Sequence, residues 1–363
     1  MHIGLSLTFQ NYEGSRPDHE VWAQEIRLTK RAIALGFDGI WATEHHFTDY
    51  EITPDPLQFL SYVAGLDSAI GLGTMAVILP WHDPVRVAEQ ISVLDTISEG
   101  RLTLAIGRGL GKVEFEGLRV PMEESRERFV ESAEIVLEAL DTGILHFEGK
   151  HYTIPERRLR PAPSRSFRSR TYAAALSPES FEIMARLQVG MLLFAFKSWD
   201  IVANDMAGYR EAFKAINGAD APPPLTNAFV ICDRDRGRAR ELAHRHIRNY
   251  YGAVLEHYGF TRQAFAGTKG YEHYARLAQE MQDPQVIEDF VEAQVFGTPK
   301  ECLERVAWIR EQVATETFLP VFGYGGLPDE DAQRSMDLFA AEVMPGLQAL
   351  GPSASGRRLR SRA

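Results

Sequence analysis

The feature of this chain that most constrains its fold is a regular alternation of short apolar stretches with amphipathic helical segments. Strands that alternate with helices pair in parallel through right-handed crossovers. Eight such units predict an α/β fold, a closed (β/α)8 TIM barrel. The predicted strands are Ile3–Phe9, Gly39–Ala42, Leu72–Leu79, Leu102–Ile106, Thr171–Leu176, Met191–Phe196, Thr226–Cys232 and Phe318–Phe322.

The segments between these strands carry apolar residues at helical spacing, as in Glu20–Leu35, which stops at Gly36. The other predicted helices are Pro56–Ala69, Pro84–Ile97, Glu123–Thr142, Pro178–Leu187, Trp199–Ile216, Asp235–His257, Pro299–Val313 and Asp329–Leu350. A doubly wound open sheet is the alternative fold. No G-x-G-x-x-G motif follows the first strand, however, so the barrel is favoured.

Two excursions interrupt the alternation, one after the fourth helix and one before the last strand. They are Leu145–Arg170, rich in Pro and Arg, and Gly259–Asp283, which is polar and aromatic. The chain has 363 residues, and the two excursions account for its length beyond that of a simple barrel. A single domain is therefore predicted over residues 1–350. The segment Gly351–Ala363 holds four arginines among Ser and Gly, and we predict a basic, disordered tail.

Composition narrows the classes of function. Lys and Arg number 39 against 50 Asp and Glu, and the net charge of −11 argues against general nucleic-acid binding. The only cysteines, Cys232 and Cys302, are too few for a disulfide framework or a zinc cluster. We see no signal peptide and no apolar run long enough to cross a bilayer. A cytoplasmic protein without membrane or nucleic-acid partners is expected.

In barrels of this type the C-terminal ends of the strands carry the chemistry. Glu44-His45-His46 follows the second strand. Adjacent residues at a strand end point to opposite sides, and the H-E-x-x-H spacing is absent, so no metal site is predicted. Two interpretations remain equal. Either one histidine acts in the cavity as an acid or base, or both are buried and satisfied by carboxylates such as Glu44.

Two further strand ends favour a phosphate-bearing ligand. The fourth strand is followed by Gly107-Arg108-Gly109-Leu110-Gly111, and Ser177 and Ser180 open the helix after the fifth. Glycines let backbone N–H groups approach an anion, Arg is a forked donor, and a helix N-terminus favours phosphate. The alternative is an ordinary tight turn and an N-cap serine.

Aromatic residues at the barrel mouth complete the pattern. They are Trp81, Phe196, Trp199 and Tyr324. Such residues could sandwich a flat ring and an apolar substrate, although each one alone is more typical of a cap on the barrel core.

Several of these motifs resemble the bacterial luciferase family. They occur in order along nearly the whole chain: Glu44–Thr48, Gly73–Pro80, Pro84–Gln90, Ser98–Leu102, Gly107–Gly109, Gly297–Cys302 and Val343–Pro345. Within that family the chain resembles the luciferase α-subunit type, because Thr268-Lys269-Gly270-Tyr271 is similar to that subunit's mobile loop.

The resemblance implies a two-component flavin-dependent monooxygenase. Such enzymes take reduced FMN from a separate flavin reductase, react it with O2 to a C4a-peroxyflavin, and oxygenate an aldehyde, a ketone or another small organic substrate. The resemblance also implies a homodimer formed through the helices after the second and third strands. Alternatives are an F420-dependent hydride-transfer oxidoreductase and a flavin-binding protein without turnover.

The resemblance also assigns site residues by position. It implies that His45 is catalytic and that Met75–Ala76 is a cis peptide beneath the flavin ring. We further expect that the excursion Gly259–Asp283 acts as a lid over flavin and substrate. The implied cofactor-binding residues are Ser6, Met75, Ala76, Arg108, Leu110, Leu176, Ser177 and Ser180. The implied substrate-pocket residues are His46, Trp81, Gly107, Glu114 and Phe196.

Three positions depart from the luciferase pattern. Gly107 stands in place of a reactive cysteine, Leu176 replaces a glutamate, and Met191–Phe196 lacks a tryptophan expected there. Because these positions line the implied pocket, we expect a changed pocket shape and an oxygenase that emits no light.

Overall fold

A computed structural model describes residues 1–174, 178–260, 271, 278 and 280–350 of the chain. Its twelve described strands, in chain order, are β1 (His2–Leu7), β2 (Gly39–Ala42), β3 (Gly71–Thr74), β4 (Val77–Ile78), β5 (Leu102–Gly107), β6 (Ile144–Glu148), β7 (Thr153–Arg158), β8 (Thr171–Ala174), β9 (Gly190–Phe194), β10 (Leu225–Cys232), β11 (Val295–Gly297) and β12 (Thr317–Val321).

A closed parallel barrel forms the centre of the structure. Its strands run in the order β1, β2, β3, β5, β8, β9, β10 and β12, and β4 continues the line of β3 beside β5. The ring closes because β9 pairs with β10, and β12 pairs with both β10 and β1. The (β/α)8 fold predicted from the alternation is therefore confirmed.

Helices surround this barrel. Those described are α1 (Asp18–Leu35), α2 (Pro56–Leu66), α3 (Pro84–Ile97), α4 (Lys112–Gly117), α5 (Ser125–Thr142), α6 (Pro178–Arg186), α7 (Trp199–Asn217), α8 (Arg236–His257), α9 (Pro284–Ala293), α10 (Pro299–Val313), α11 (Asp329–Glu342) and α12 (Met344–Gln348). Several begin at a side-chain cap. Thr298 and Glu301 form a reciprocal capping box at α10, and Asp83 accepts from two backbone N–H groups at α3.

The excursion after the fourth predicted helix contains regular structure that the sequence did not indicate. β6 and β7 form an antiparallel ribbon, separate from the barrel. The strand β11 and the helices α4 and α9 were also not predicted. β11 is only three residues long and extends the sheet beside the second half of β10.

Two predicted elements are interrupted. The predicted strand Leu72–Leu79 is divided into β3 and β4 at the Met75–Ala76 peptide, which is cis. The predicted helix Asp329–Leu350 breaks at Val343. Pro345 has no N–H to donate to the preceding turn, which explains this break.

Some predicted features lie outside the described residues. These are the basic tail 351–363 and most of the excursion before the last strand, namely residues 261–270, 272–277 and 279. In the described part of the chain, no helix combines the length and the apolar character that crossing a bilayer requires.

The barrel interior is filled around Trp41. This indole is 5% exposed and packs with Met75, Ala76 and Leu319 in one apolar cluster. Gly73 on the neighbouring strand leaves the space that the indole occupies, because a Cβ atom there would overlap the ring. Glycine at this position therefore allows a large aromatic side chain inside a narrow barrel.

We predict that Gly73→Ala destabilises the fold by about 1–3 kcal/mol, because the added methyl group forces Trp41 out of its position. The free energy of unfolding in urea measures this loss. The matched control is Gly252→Ala, in the interior of α8 with open space around the glycine, which we expect to be neutral or stabilising. Equal stability of the two variants would contradict this packing argument.

Candidate active site

Three elements meet at the C-terminal end of the barrel and bring together residues distant in sequence. The loop after β2 carries His45 and His46, α4 after β5 carries Glu114, and His257 is the last residue of α8. The backbone N–H of His46 donates to Glu114 Oε1 at 3.0 Å, which fixes the β2 loop against α4.

Glu114 lies between two imidazoles. Its Oε1 is 3.0 Å from His45 Nδ1, and its Oε2 is 3.3 Å from His257 Nε2. The other nitrogen of His257, Nδ1, is 2.7 Å from the hydroxyl of Thr48. Glu114 is fully buried and His257 nearly so, while the side chain of His45 keeps 14% of its surface exposed. His45 is therefore the most exposed of the three side chains.

The charges in this group follow from burial and from these contacts. Burial opposes ionisation of Glu114, but His45 and His257 outweigh it and lower the pKa of the carboxyl group from 4.5 to about 2. Burial alone would lower the pKa of His45, but Glu114 and a second carboxyl group, Glu51, raise it from 6.5 to about 8. His45 is thus held as an imidazolium at neutral pH. Burial lowers the pKa of His257, which stays neutral.

A second, separate group forms around Glu44. This buried carboxylate contacts His46 Nε2 at 3.2 Å and His82 Nε2 at 2.6 Å, and it accepts from the backbone N–H of Ile78 at 2.9 Å. Burial would raise the pKa of Glu44, but the contacts with His46 and His82 lower it. Each histidine of the pair therefore contacts its own carboxylate, His46 contacting Glu44 and His45 contacting Glu114. The action of His45 as an acid or base stays a prediction.

The trio His45, Glu114 and His257 has the composition of a metal centre, and its ligand atoms lie within 4.8 Å of one another. The contact between His45 Nδ1 and Glu114 Oε1 is at hydrogen-bond distance, however. The geometry and charge of these three residues favour a hydrogen-bonded proton site.

An apolar wall borders this site. Trp81 is buried, contacts the His46 ring edge-to-face at 5.3 Å, and belongs to an apolar cluster that also includes Leu110 and Phe196. Phe196 stacks on Phe290 of α9 with ring centroids 5.4 Å apart. The Trp81 Nε1 atom is buried and has no hydrogen-bond partner among the described residues. A buried donor left in this way calls for an acceptor outside the described side chains, either a water molecule or a bound molecule.

The residues implied for the flavin ring lie together inside the barrel. Ser6 Oγ is 3.7 Å from Met75 Sδ, and Met75 and Ala76 share the apolar cluster of Trp41. A Cβ atom at Gly107 would lie 3.7 Å from that of Ala76. The cis peptide at Met75–Ala76 agrees with the resemblance, and Gly107 lies beside it on the adjacent strand.

Only some of the residues that the resemblance assigns to phosphate binding lie within the described part of the chain. The Arg108 guanidinium stacks on Tyr271 at 4.3 Å from the ring centroid, and the Tyr271 hydroxyl donates to the carbonyl of Gly109 at 3.1 Å. Ser180 lies in the first turn of α6. Leu176 and Ser177 lie outside the described residues, so their parts remain predictions.

Sequence reasoning did not single out Glu51, Tyr250, His82 or His257 as site residues. His257 approaches Thr48 across 209 positions of sequence, and no local pattern indicates such a contact. Glu51 carried a weak signal, because it stands in the same strand-end loop as His45.

The sequence profile of the luciferase-like monooxygenase family matches residues 1–316. The chain belongs to this family. A relative within it, the alkanal monooxygenase alpha chain of Photobacterium leiognathi, is 26% identical over 354 residues, covering 94% of this chain and 98% of the relative. Family membership supports an oxidoreductase of the monooxygenase type.

Solved structures share the fold over nearly the full length. Monooxygenase RslO1 from Streptomyces bottropensis has a TM-score of 0.78 at 24% identity, covering 95% of this chain and 99% of its own. The oxygenating constituent of 3,6-diketocamphane monooxygenase from Pseudomonas putida, a type II Baeyer–Villiger enzyme in complex with FMN, has a TM-score of 0.74 at 20% identity, with 97% and 100% covered. An F420-dependent secondary alcohol dehydrogenase has a TM-score of 0.70 at 16% identity, with 95% and 98% covered.

The raised pKa of His45 predicts how stability depends on pH. The folded protein holds this proton more tightly than the unfolded chain, so the stabilisation is full below pH 6.5 and is lost as the pH rises through 8. Between pH 6 and pH 9 we expect a loss of about 2 kcal/mol from this residue.

Urea unfolding of the wild type and of His45→Gln across that range measures the effect. The raised pKa values of Glu25 and Glu51 add losses in the same direction to both proteins. Because His45 lowers the pKa of Glu51, the loss from Glu51 is larger in the variant. The decline should still be shallower in the variant, by less than the full His45 contribution, and parallel declines would refute the charge assigned to His45.

Proposed function

We propose that this protein is a flavin-dependent monooxygenase that uses reduced FMN and O2 to oxygenate a small organic substrate, an aldehyde, a ketone or a natural-product intermediate. The reduced FMN would come from a separate flavin reductase through a transient encounter. The observation that carries this proposal is the accessible His45 imidazolium, paired with buried Glu114 beside an apolar wall at the C-terminal end of the barrel. The family and the FMN complex of a fold relative support the choice of cofactor.

The residues present fit a flavin mononucleotide. The Arg108 guanidinium at the barrel mouth matches a phosphate, with Ser177 and Ser180 as its expected partners. Ser6 contacts Met75, and Met75 and Ala76 lie in one apolar cluster. These three residues would border the flat ring, with Leu110 and Leu176 expected at its edges. The buried indole N–H of Trp81, which has no acceptor among the described residues, could donate a hydrogen bond to an oxygen atom of a bound molecule.

Bound reduced flavin supplies the two electrons with which O2 is activated. The protein would contribute exclusion of water and control of protons. Trp81, Phe115 and Phe196 belong to the apolar cluster on one side of the site, which limits access of water to the reacting atoms. His45, held by Glu114 on its Nδ1 side, keeps a proton near neutral pH and can donate or accept it through Nε2.

The test is a single turnover. The protein is mixed anaerobically with photoreduced FMN and then with oxygenated buffer that contains a panel of ketones and aldehydes. We expect formation of an oxygenated product from at least one member, without light. Oxidation of the flavin with release of hydrogen peroxide alone, across a broad panel, would contradict an oxygenase.

An F420-dependent hydride-transfer activity is the second candidate, because an F420-dependent alcohol dehydrogenase shares the fold. The two proposals differ in the cofactor that binds. Titration of the protein with FMN and with F420, followed by fluorescence quenching, separates them. Tight binding of F420 together with weak binding of FMN would favour hydride transfer.

We predict that Arg108→Met weakens FMN binding by about 10- to 100-fold, because the phosphate loses charge-assisted hydrogen bonds. Riboflavin, which lacks the phosphate, should bind the variant and the wild type equally. The matched control is Lys112→Met, an exposed cation four positions later, which should leave FMN affinity unchanged. An equal loss for FMN and riboflavin would mean that Arg108 supports the fold and does not bind phosphate.

We propose that the protein forms a homodimer through α2 and α3, as the resemblance implies. These helices pack together and carry three apolar side chains, Tyr62, Val93 and Ile97, whose exposure lies between 44% and 53%. Exposed apolar side chains on adjacent helices are typical of an interface.

Ile97→Asp is expected to shift the protein to a monomer in sedimentation velocity, since a buried charge would oppose association. The control is Ile216→Asp on α7, which is 42% exposed and should leave the oligomeric state unchanged. A wild-type monomer, or dissociation of both variants alike, would exclude this interface.

A further inference from the structure

Glu51 is a buried carboxyl group that the proposed function has not yet used. It lies in the loop after β2 and is 1% exposed. Its Oε1 accepts a hydrogen bond from the Tyr250 hydroxyl at 3.0 Å, and that hydroxyl is 2.6 Å from the hydroxyl of Tyr50. Its Oε2 is buried and has no hydrogen-bond partner among the described residues. A buried oxygen without a donor is costly, which calls for an explanation.

That orphaned oxygen faces His45. Glu51 Oε2 is 3.8 Å from His45 Nε2, on the side of the ring opposite to Glu114. The distance is slightly longer than a hydrogen bond, and catalytic contacts in ligand-free enzymes are often long and shorten when reactants bind. The imidazole of His45 therefore lies between two carboxyl groups, one on each ring nitrogen.

The two carboxyl groups differ in their readiness to take a proton. Glu114 accepts hydrogen bonds from His46 N–H and from His45, and it stays ionised over the whole neutral range. Burial raises the pKa of Glu51 to about 7, although His45 opposes this shift. Only Glu51 therefore has a proton affinity comparable with that of His45.

We propose that Glu51 is the proton partner of His45, acting through the imidazole and not on the substrate itself. The proton on His45 Nε2 first passes to Glu51 Oε2, which leaves a lone pair on Nε2 with which His45 can accept a proton as a base. When His45 gives that proton up as an acid, the proton held by Glu51 returns to Nε2. The imidazolium and the carboxylate become a neutral imidazole and a carboxylic acid, so the charge of the pair is zero in both states. This inference rests on the proposed oxygenase function, in which His45 handles protons.

The other groups around Glu51 do not compete for this proton. Burial raises the pKa values of Tyr50 and Tyr250 well above 10, so both hydroxyls stay protonated. Tyr258 lies beside Tyr50, 5.7 Å between ring centroids, and makes ionisation of that ring still less favourable. Glu25, whose pKa burial raises to about 8, interacts with Glu51 only through its charge.

The first test is the titration of His45 in flavin-free protein with labelled histidine, followed by NMR and assigned with His45→Gln. In Glu51→Gln the carboxylate charge beside Nε2 is lost, and we expect about tenfold weaker proton binding at His45. The matched control is Glu25→Gln, another buried carboxyl group with a raised pKa, which lines a different cavity with Gln10 and Arg16. It should change the His45 titration by less than about twofold.

A second pair of variants keeps the test decisive if Glu51→Gln does not fold. Tyr250→Phe removes the hydrogen bond that stabilises the Glu51 carboxylate, so proton binding at His45 should weaken in the same direction but less. Its control is Tyr251→Phe on the same helix, whose hydroxyl donates to the Met281 carbonyl at 2.9 Å instead. Titration of His45 as in the wild type in both Glu51→Gln and Tyr250→Phe would overturn the inference.

The second test is the pH profile of product formation. Glu51→Gln should lower kcat and move the basic limb of the kcat/KM profile to lower pH, whereas a purely structural role would lower the amount of folded enzyme without moving the limb. Failure of the proposed oxygenase function and failure of the Glu51 proposal give different results. A changed titration without product from any protein rejects the oxygenase, and product with an unmoved titration and profile rejects Glu51 as the proton partner.

Discussion

The site depends on one ionised carboxylate buried between two imidazoles. Glu114 holds His45 at 3.0 Å and His257 at 3.3 Å, and the same carboxylate accepts from the backbone of the β2 loop. A buried charge is tolerated only when it is paired and hydrogen-bonded. Removing any of these partners would leave the others uncompensated, so the loop, α4 and the end of α8 are fixed relative to one another by a single group.

The barrel supplies the geometry that this interaction requires. Parallel strands place their C-terminal ends at one rim of the barrel. Glu44 and His45 follow β2, and the Gly107–Gly111 loop follows β5, so these segments lie at the same rim. The Glu44 group fixes His46, His82 and the end of β4, while the Glu114 group holds the accessible His45. Two neighbouring histidines thus have different carboxylate partners.

Much of this architecture follows from the sequence, because eight apolar stretches and their helices repeat regularly and the motifs at their ends carry the resemblance. The ribbon β6–β7 was missed because Thr153–Arg158 contains Pro and charged residues and needs no buried face. His257 and Tyr250 were missed because their contacts join positions about 200 residues apart, which no local pattern encodes. The role of Glu51 depends on the path of its loop, where Phe47 adopts a φ of 67°.

His45→Gln separates flavin binding from turnover. We expect that the dissociation constant for FMN changes by less than about threefold, while kcat falls by about 100-fold or more, because proton control is lost and the residues around the flavin ring are unchanged. His246→Gln, which replaces a buried histidine bonded to the Gly325 carbonyl, serves as the control and should keep its turnover. Wild-type turnover in His45→Gln would contradict the account.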